Sequence, residues 1–292
     1  MIGYKIAILI LISIFLIYNL YENEKIETFD NNFIKPSNWS ELGFNQKLRI
    51  YGKQLGKEHG DYADKLKVKE IVSNMNIKNL NIPKNIKFLD RNKDLNLNEL
   101  PETCIVKTNC GNGDLIIIKN RKIIMMKGRV RNVKTYDEWK KRSLKTLNYK
   151  PEIQPHYKYI EPKIYVEEYL GDNLNDYKFF CIQGKMVLCQ IDTGRFKNHT
   201  QNLYNNLFKL YPFTKGNRKN KINLKKPQKY EEMVKIAEEI SKKTKFDFVR
   251  VDLFFVNNKI YIGEITFIPD AAADKYNFKP IKYEYEIGKL WK

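Results

Sequence analysis

The stretch FDFVRVDLFFVNNKIYIGEITF, residues 246–267, decides the fold of this sequence. Asn257-Asn258 joins two strand-like runs of apolar and aromatic residues, which predicts an antiparallel hairpin. Side chains alternate between the two faces of a strand, so Arg250 and Asp252 share one face. Glu264 lies near-opposite Asp252 on the returning strand. The hairpin therefore brings two carboxylates and one guanidinium together.

Two facing carboxylates repel each other unless a positive charge lies between them. Mg²⁺ is the usual hard cation held by few carboxylates together with substrate phosphates, which makes Asp252 and Glu264 a candidate metal site. Arg250 would add a fixed cation near the same phosphates. The alternative is a surface hairpin whose acids pair with Arg250 and neighbouring lysines.

The segments before this hairpin predict an α+β fold with mostly antiparallel sheets. Strand-like runs around a glycine turn suggest a small sheet, and the amphipathic helix that follows would cover it. A clear helix, with one apolar stripe, precedes the hairpin. The expected helices are 64–75, 136–147 and 230–244, and the expected strands include CIVKTN, LIIIKN, KIIMMKG, KIYVEEYL, DYKFFCIQG and KMVLCQID.

Lys107 emerges from an apolar strand immediately before a glycine-containing loop. Gly111 and Gly113 would leave backbone N–H groups free to approach phosphate oxygens, and Lys107 would supply a point charge. A plain hairpin turn is the alternative for this loop, and the GK[ST] of a Walker motif is absent.

Glu167 and Glu168 are adjacent in an apolar strand, so alternation turns one of them inward. A buried carboxylate needs hydrogen-bond donors, such as an adenine amino group or ribose hydroxyls. The alternative is an acid on a solvated edge strand. Asp176 and Lys178 pose the same choice between contacting a nucleotide and facing solvent.

The amino-terminal residues 1–21 contain an apolar run long enough to span a bilayer, with no small-residue cleavage site after it. We expect an uncleaved, single-pass membrane anchor, followed by a linker over residues 22–50. The charges flanking the run leave its orientation open. A buried helix of the soluble domain is the alternative.

The composition limits the kinds of site that this chain can build. The formal net charge is +19, which suits an anionic partner, although abundant Lys, Asn and Ile also fit AT-rich coding. Four cysteines without a CxxC pair and three histidines argue against a disulfide framework and a His-based metal centre. Aromatic residues lie in strand patterns rather than among the Lys and Arg, so no nucleic acid partner is expected.

Six motifs follow one another along the chain: YADKLKVKEIV (62–72), VKTNCGNGD (106–114), VEEYL (166–170), DYKFFCIQGK (176–185), DTGRFKNHT (192–200) and FVRVDLFFVNNKIYIGEITFIP (248–269). Each motif is weak alone, but six in this order are specific. Together they resemble the motifs of the ATP-grasp superfamily, and within it those of the TupA-like group associated with cell-wall and surface-polysaccharide gene sets. The resemblance implies two antiparallel-sheet lobes that clasp a nucleotide, in a catalytic domain over 51–292 divided into 51–100, 101–165 and 166–292.

The resemblance implies roles for single positions. Lys65 and Lys107 look like the two lysines that bind ATP phosphates, and the loop from Gly111 to Asp114 looks like the flexible lid over them. Glu167 and Glu168 resemble the linker residues that meet adenine and ribose. Asp176 is a further ribose candidate.

Asp252 and Glu264 match the Mg²⁺ ligands of this superfamily, and Arg250 matches the arginine that steadies the transferred phosphoryl group. Many relatives have Asn two residues after the metal Glu, whereas this sequence has Thr266. TupA-like members share this threonine, and its hydroxyl can still coordinate a metal.

The resemblance implies an ATP-dependent carboxylate–amine ligase that acts through an acylphosphate on a surface-glycan or peptide precursor. The acceptor would meet DTGRFKNHT, where Arg195 and His199 lie. An ATP-dependent sugar kinase or an enzyme associated with glycosyl transfer is one alternative. A non-catalytic basic binding protein is another.

Overall fold

The structure, a computed structural model, describes residues 29, 33–110, 114–128, 131–145, 152–172, 174–194, 199–217 and 224–292. The expected anchor over residues 1–21 lies outside this range, and it stays a prediction. Within the described range, no helix has the length and apolar character that crossing a membrane requires.

Helices form at each of the three positions where an apolar stripe predicted one. The expected helix over 230–244 is confirmed with its bounds, and the helix expected over 64–75 begins three residues later than its predicted start. The α-helices are α1 (Phe44–Gly52), α2 (Lys57–Ala63), α3 (Lys67–Asn74), α4 (Tyr136–Lys145), α5 (Tyr230–Thr244) and α6 (Lys282–Gly288). Short 3-10 turns occur at Trp39–Glu41, Leu97–Glu99, Pro155–Tyr159, Pro269–Ala272 and Asp274–Tyr276.

Two six-stranded sheets carry most of the strands, which confirms the α+β fold with mostly antiparallel pairing. The C-terminal sheet has the order β1-β13-β12-β8-β9-β10, and the N-terminal sheet has the order β2-β7-β3-β4-β5-β6. A small third sheet pairs β11 with β14. The strands are β1 (Leu80–Asn81), β2 (Asn85–Leu89), β3 (Cys104–Thr108), β4 (Leu115–Lys119), β5 (Lys122–Gly128), β6 (Arg131–Asn132), β7 (Ile164–Glu167), β8 (Asp176–Ile182), β9 (Lys185–Thr193), β10 (Thr200–Tyr204), β11 (Thr214–Lys215), β12 (Phe248–Val256), β13 (Lys259–Thr266) and β14 (Phe278–Lys279).

The hairpin of β12 and β13 forms as the sequence predicts. Asn257 and Asn258 have φ angles of 49° and 59°. Asn adopts this left-handed region more readily than other non-glycine residues, and the resulting turn matches the twist of the flanking strands. The antiparallel register pairs Asp252 directly with Glu264, and Arg250 with Thr266.

Each sheet has its own apolar core. The larger core lies behind the C-terminal sheet, where Met233, Ala237 and Ile240 of α5 are fully buried. The smaller core lies on the N-terminal sheet, where Trp139 of α4 is fully buried. Cys104, Cys110, Cys181 and Cys189 are free and buried, as expected for small apolar residues.

Helix α1 corrects the expected linker over residues 22–50. Phe44, Leu48 and Tyr51 are each 1% exposed and belong to the larger core. Lys47 is also buried, and its ammonium donates to the carbonyl oxygens of Gly288 and Trp291 at 2.8 and 2.7 Å. The segment from Phe44 onward is therefore part of the folded domain.

The chain crosses between the two sheets twice. It leaves β1 for β2 past Lys84, and it returns from β7 to β8 past Glu168. The two crossings are hydrogen-bonded to each other, because Glu168 N donates to Lys84 O at 3.0 Å and Lys84 N donates to Glu168 Oε1 at 2.7 Å. The site described below lies where the two sheets meet.

Candidate active site

The carboxylates of β12 and β13 meet around one guanidinium. Arg250 donates from Nε and Nη2 to the two carboxylate oxygens of Asp252, at 2.6 and 2.7 Å. The same Nη2 lies 3.1 Å from Glu264 Oε1 and 3.0 Å from Thr266 Oγ1. The four side chains predicted for metal and phosphate binding are therefore brought together.

The two carboxylates differ in their titration. Burial raises the pKa of Asp252, although Arg250 and Lys178 oppose this. Burial also disfavours the charged form of Glu264, but Lys65, Arg250 and Lys178 hold the pKa of Glu264 below its ordinary value. Glu264 thus stays ionised at neutral pH, and its side chain is 22% exposed.

Two lysines contact these carboxylates from either side. Lys178 on β8 lies 2.5 Å from Asp176 Oδ2 and 2.8 Å from Asp252 Oδ2. Burial opposes the charge of Lys178, but Asp176 and Asp252 raise its pKa, so it stays protonated. Lys65 lies 3.0 Å from Glu264 Oε2, and its backbone N–H donates to Asn109 O of the N-terminal sheet region at 3.0 Å. Lys65 therefore connects the two sides of the site.

A second ion cluster lies on the N-terminal sheet. Glu167 at the end of β7 contacts Lys107 through Oε1, and it lies 2.5 Å from Lys69 through Oε2. Burial disfavours the charge of Glu167, but the two lysines hold its pKa below the ordinary value. Burial lowers the pKa of Lys69 despite this pairing.

Sequence reasoning missed Lys69. It lies in the stretch that contains Lys65, and it is 6% exposed on the same side of α3 as Val68 and Val72. A lysine between apolar helix positions was the available signal, because a buried ammonium requires an anionic partner. Its partner Glu167 is distant in sequence, so the pairing itself could not be read from the stretch.

Other predicted positions have different surroundings. The carboxylate of Glu168 accepts from Lys84 N at the crossing between the sheets, and its expected contact with adenine or ribose stays a prediction. His199 Nε2 lies 3.4 Å from Asp192 Oδ1, beside the polar side chains of β9. Gly111, Gly113 and Arg195 lie outside the described residues.

The donor set fits a metal ion shared with a ligand. Across the described part of the chain, no group of three or more His, Cys, Asp and Glu side chains could hold a metal by itself. Mg²⁺ characteristically takes one or two carboxylates plus substrate phosphates, which is what Asp252 and Glu264 offer beside the Thr266 hydroxyl. Lys65, Lys107 and Lys69 supply the positive charge that phosphates need.

The chain is similar to several proteins of known structure and to one family model. D-alanine–D-alanine ligase from Bacillus anthracis is similar at 16% identity, covering 88% of this chain and 76% of that chain with a TM-score of 0.45. L-amino acid ligase from Bacillus licheniformis is similar at 13% identity, covering 85% and 54% with a TM-score of 0.45. A comparison with curated protein sequences finds no match. A family model for TupA-like ATPgrasp matches residues 45–292, and the chain therefore belongs to the TupA-like ATP-grasp family.

Proposed function

We propose that this ATP-grasp enzyme is a carboxylate–amine ligase that acts through an acylphosphate, on a precursor of a surface polysaccharide or peptide-bearing glycan. The observation that carries the proposal is the pairing of two carboxylates, Asp252 and Glu264, with the guanidinium of Arg250 and the ammonium groups of Lys178 and Lys65. This arrangement suits the transfer of a phosphoryl group, which needs positioning and electrostatic stabilisation more than a protein nucleophile.

Different residues would bind the ATP phosphates and the metal ion in the first step. Lys65 and Lys107 would bind the ATP phosphates, and Asp252, Glu264 and Thr266 would hold Mg²⁺, which neutralises phosphate charge when bound. A substrate carboxylate oxygen attacks the γ-phosphorus, the bond to the bridging oxygen breaks, and ADP leaves. Arg250, whose guanidinium lies against both carboxylates, would stabilise the charge on the transferred group.

In the second step an amine nitrogen attacks the acyl carbon of the acylphosphate. The C–O bond to phosphate breaks, inorganic phosphate leaves with the electron pair, and the amine loses one proton. The protein would contribute by holding both reactants next to each other, which converts an encounter in solution into a reaction between bound groups. The predicted acceptor residues Arg195 and His199 follow β9, the strand that pairs with β8 of the metal-site face.

The proposal is tested by calorimetric titration of the full-length protein with a nonhydrolysable ATP analogue, with and without Mg²⁺. We expect Mg²⁺ to tighten binding at least about tenfold in the wild type, and the variant Asp252→Asn/Glu264→Gln to lose this gain. The double variant Asp90→Asn/Glu99→Gln removes the same charge from exposed residues and should behave as the wild type.

A folded wild-type protein that does not bind the analogue would contradict the proposal, as would an unchanged Mg²⁺ response in the metal-site variant. Trapping with hydroxylamine then separates the reactions. A ligase forms a hydroxamate from its acylphosphate, whereas a sugar kinase, the alternative drawn from the sequence, forms a phosphate ester and no hydroxamate.

A further inference from the structure

The polar face that carries the metal site continues two strands further than the predicted residues. Cross-strand pairing places Lys178 of β8 opposite Asp252 and Gln190, and it places Asp176 opposite Asp192. Gln201 of β10 is in turn opposite Asp192. Asp192 is two strands away from Asp252 and two residues further along, so spacings of about 4.8 Å between strands and 3.3 Å per residue separate their Cα atoms by roughly 12 Å.

At this end of the face, Asp192 is surrounded by neutral donors. Gln190 Nε2 donates to both of its carboxylate oxygens at 3.2 Å, and Gln201 Nε2 donates to Oδ1 at 3.0 Å. His199 Nε2 lies 3.4 Å from the same oxygen. Burial by itself disfavours the carboxylate, but the bond from His199, the charge of Lys178 and the bond from Gln201 hold the pKa of Asp192 below its ordinary value.

The orientation of the two glutamine side chains is fixed by Asp192. A carboxylate only accepts hydrogen bonds, so each amide must present its NH₂ group to Asp192 and point its carbonyl oxygen away. Gln190 and Gln201 are 3% and 4% exposed. Among the described residues, neither Oε1 atom has a hydrogen-bond partner. Buried acceptors without a partner cost free energy, and native proteins satisfy nearly all of them.

Charge on this face is also incomplete at Asp192. The described face carries four carboxylates, on Asp176, Asp192, Asp252 and Glu264, against three cations, on Lys65, Lys178 and Arg250. Within the described part of the chain, Asp192 is the one carboxylate of the four without a lysine or arginine in contact. A ligand that satisfies both amide oxygens and this charge must donate hydrogen bonds and be positive.

We propose that Gln190, Gln201 and Asp192 form the subsite for the primary ammonium group of the amine substrate. The amine nitrogen donates to the two amide oxygens, beside the carboxylate of Asp192. A carboxylate or phosphate group is disfavoured at this position, because it would meet the negative charge of Asp192 and two amide oxygens that can only accept hydrogen bonds. Access is past His199, whose side chain is 27% exposed and lies against Asp192.

This inference rests on the proposed function and adds the location and charge of its second substrate. It is tested on the full-length protein loaded with Mg²⁺ and the nonhydrolysable ATP analogue, by saturation-transfer NMR. The probes are the common amino acids, ethanolamine and glucosamine, each beside its N-acetylated form. We expect free amines to bind in preference to their acetylated forms, and Gln201→Met to weaken their binding about tenfold or more.

Gln154→Met is the matched control. Gln154 is also a buried glutamine, 5% exposed, whose Oε1 has no partner among the described residues, but its amide donates to Ile268 O. It should leave amine binding unchanged. Cooperative thermal unfolding checks that each variant folds, and Gln190→Met provides a second substitution in the subsite if Gln201→Met does not fold.

Several results would overturn the subsite. These are equal binding of acetylated and free amines, wild-type amine binding in the variant, or no amine binding by a protein that binds the analogue. Weaker analogue binding in Gln201→Met, measured by calorimetry, would assign the amide oxygens to ribose hydroxyls instead. Failure of the wild type to bind the analogue would contradict the proposed function itself, so the two failures are distinguishable.

Discussion

The two six-stranded sheets carry their charges in opposite ways. On the C-terminal sheet, the face at the site is rich in buried carboxylates, with Asp252 as its most enclosed member. The N-terminal sheet and the adjoining helix α3 instead present Lys107 and Lys69, held by the single carboxylate of Glu167. One side therefore suits a metal ion and the other suits phosphates, and a metal–nucleotide complex matches both at once.

The apolar support behind the two faces differs as well. The C-terminal sheet is backed by α5 and a large continuous core, whereas the N-terminal sheet depends on a much smaller cluster around Trp139. Stability need not be uniform across such a molecule, and regions with few buried contacts open first. We therefore expect the C-terminal sheet to be the more rigid of the two and the N-terminal sheet to open more easily.

The largest effect is expected from a substitution in the smaller core, on the N-terminal sheet. Trp139→Ala removes a fully buried indole from the small cluster and should lower stability there by about 3–5 kcal/mol. Hydrogen exchange should accelerate in β3, β4 and β5 while β8, β9 and β12 keep their protection. Phe88→Ala is the control in the same sheet, because Phe88 is 61% exposed. Equal loss of protection in both sheets would refute the comparison.

An intermediate effect is expected from Glu167→Gln. The amide cannot neutralise the two lysines, and loss of one partner of a buried ion pair costs about 3 kcal/mol. Urea unfolding of the two proteins measures the difference. Glu168→Gln is the matched control on the adjacent residue, because an amide oxygen can still accept from Lys84 N. Equal destabilisation by the two variants would show that the ion cluster is not the cause.

The pH dependence of the stability difference between wild type and Glu167→Gln provides a second test of the ion cluster. The folded pKa of Glu167 lies below its ordinary value of 4.5, so its contribution to stability is present above that value. The contribution is lost as the pH falls through the folded pKa, because the folded protein must then bind a proton that the unfolded chain already holds. The difference between wild type and Glu167→Gln should therefore be constant near neutral pH and shrink below pH 4.5. A difference that persists unchanged into strong acid would contradict this explanation.

The smallest effect on stability is expected from an exposed ion pair between the N-terminal sheet and the segment that returns to the C-terminal sheet. Lys119 of β4 pairs with Asp172, which follows the returning crossing, and the two side chains are 30% and 60% exposed. Exposed pairs contribute little, so Lys119→Met should change stability by at most about 1 kcal/mol. Thermal unfolding at low and high salt measures it, and a larger, salt-sensitive loss would show that this pair holds the sheets together.

The sequence predicted the hairpin and helix α5, because both depend on residues that are close together in the chain. The hairpin follows from a two-residue asparagine turn and a period of two, and α5 follows from its apolar stripe. The same period predicted that Asp252 and Glu264 would face each other, which the register confirms.

Features that depend on distant partners could not be predicted in this way. Lys69 and Glu167 are 98 residues apart, and only the folded chain brings them together. Helix α1 looked like part of a linker because its segment is polar with scattered aromatic residues. Its Lys47 nevertheless donates to carbonyl groups near the other end of the chain. The surroundings of the Gln190 and Gln201 amides likewise could not be predicted, because they depend on how β8, β9 and β10 pair.

The paired crossing at Lys84 and Glu168 limits how the lobes can move. A single connecting segment would allow one lobe to rotate about the chain axis, but two segments that are hydrogen-bonded to each other resist such torsion. The motion that remains easy is hinge bending of one lobe relative to the other at the paired segments. Closure should thus follow one axis and return the lysines to the same place over the carboxylates in every cycle.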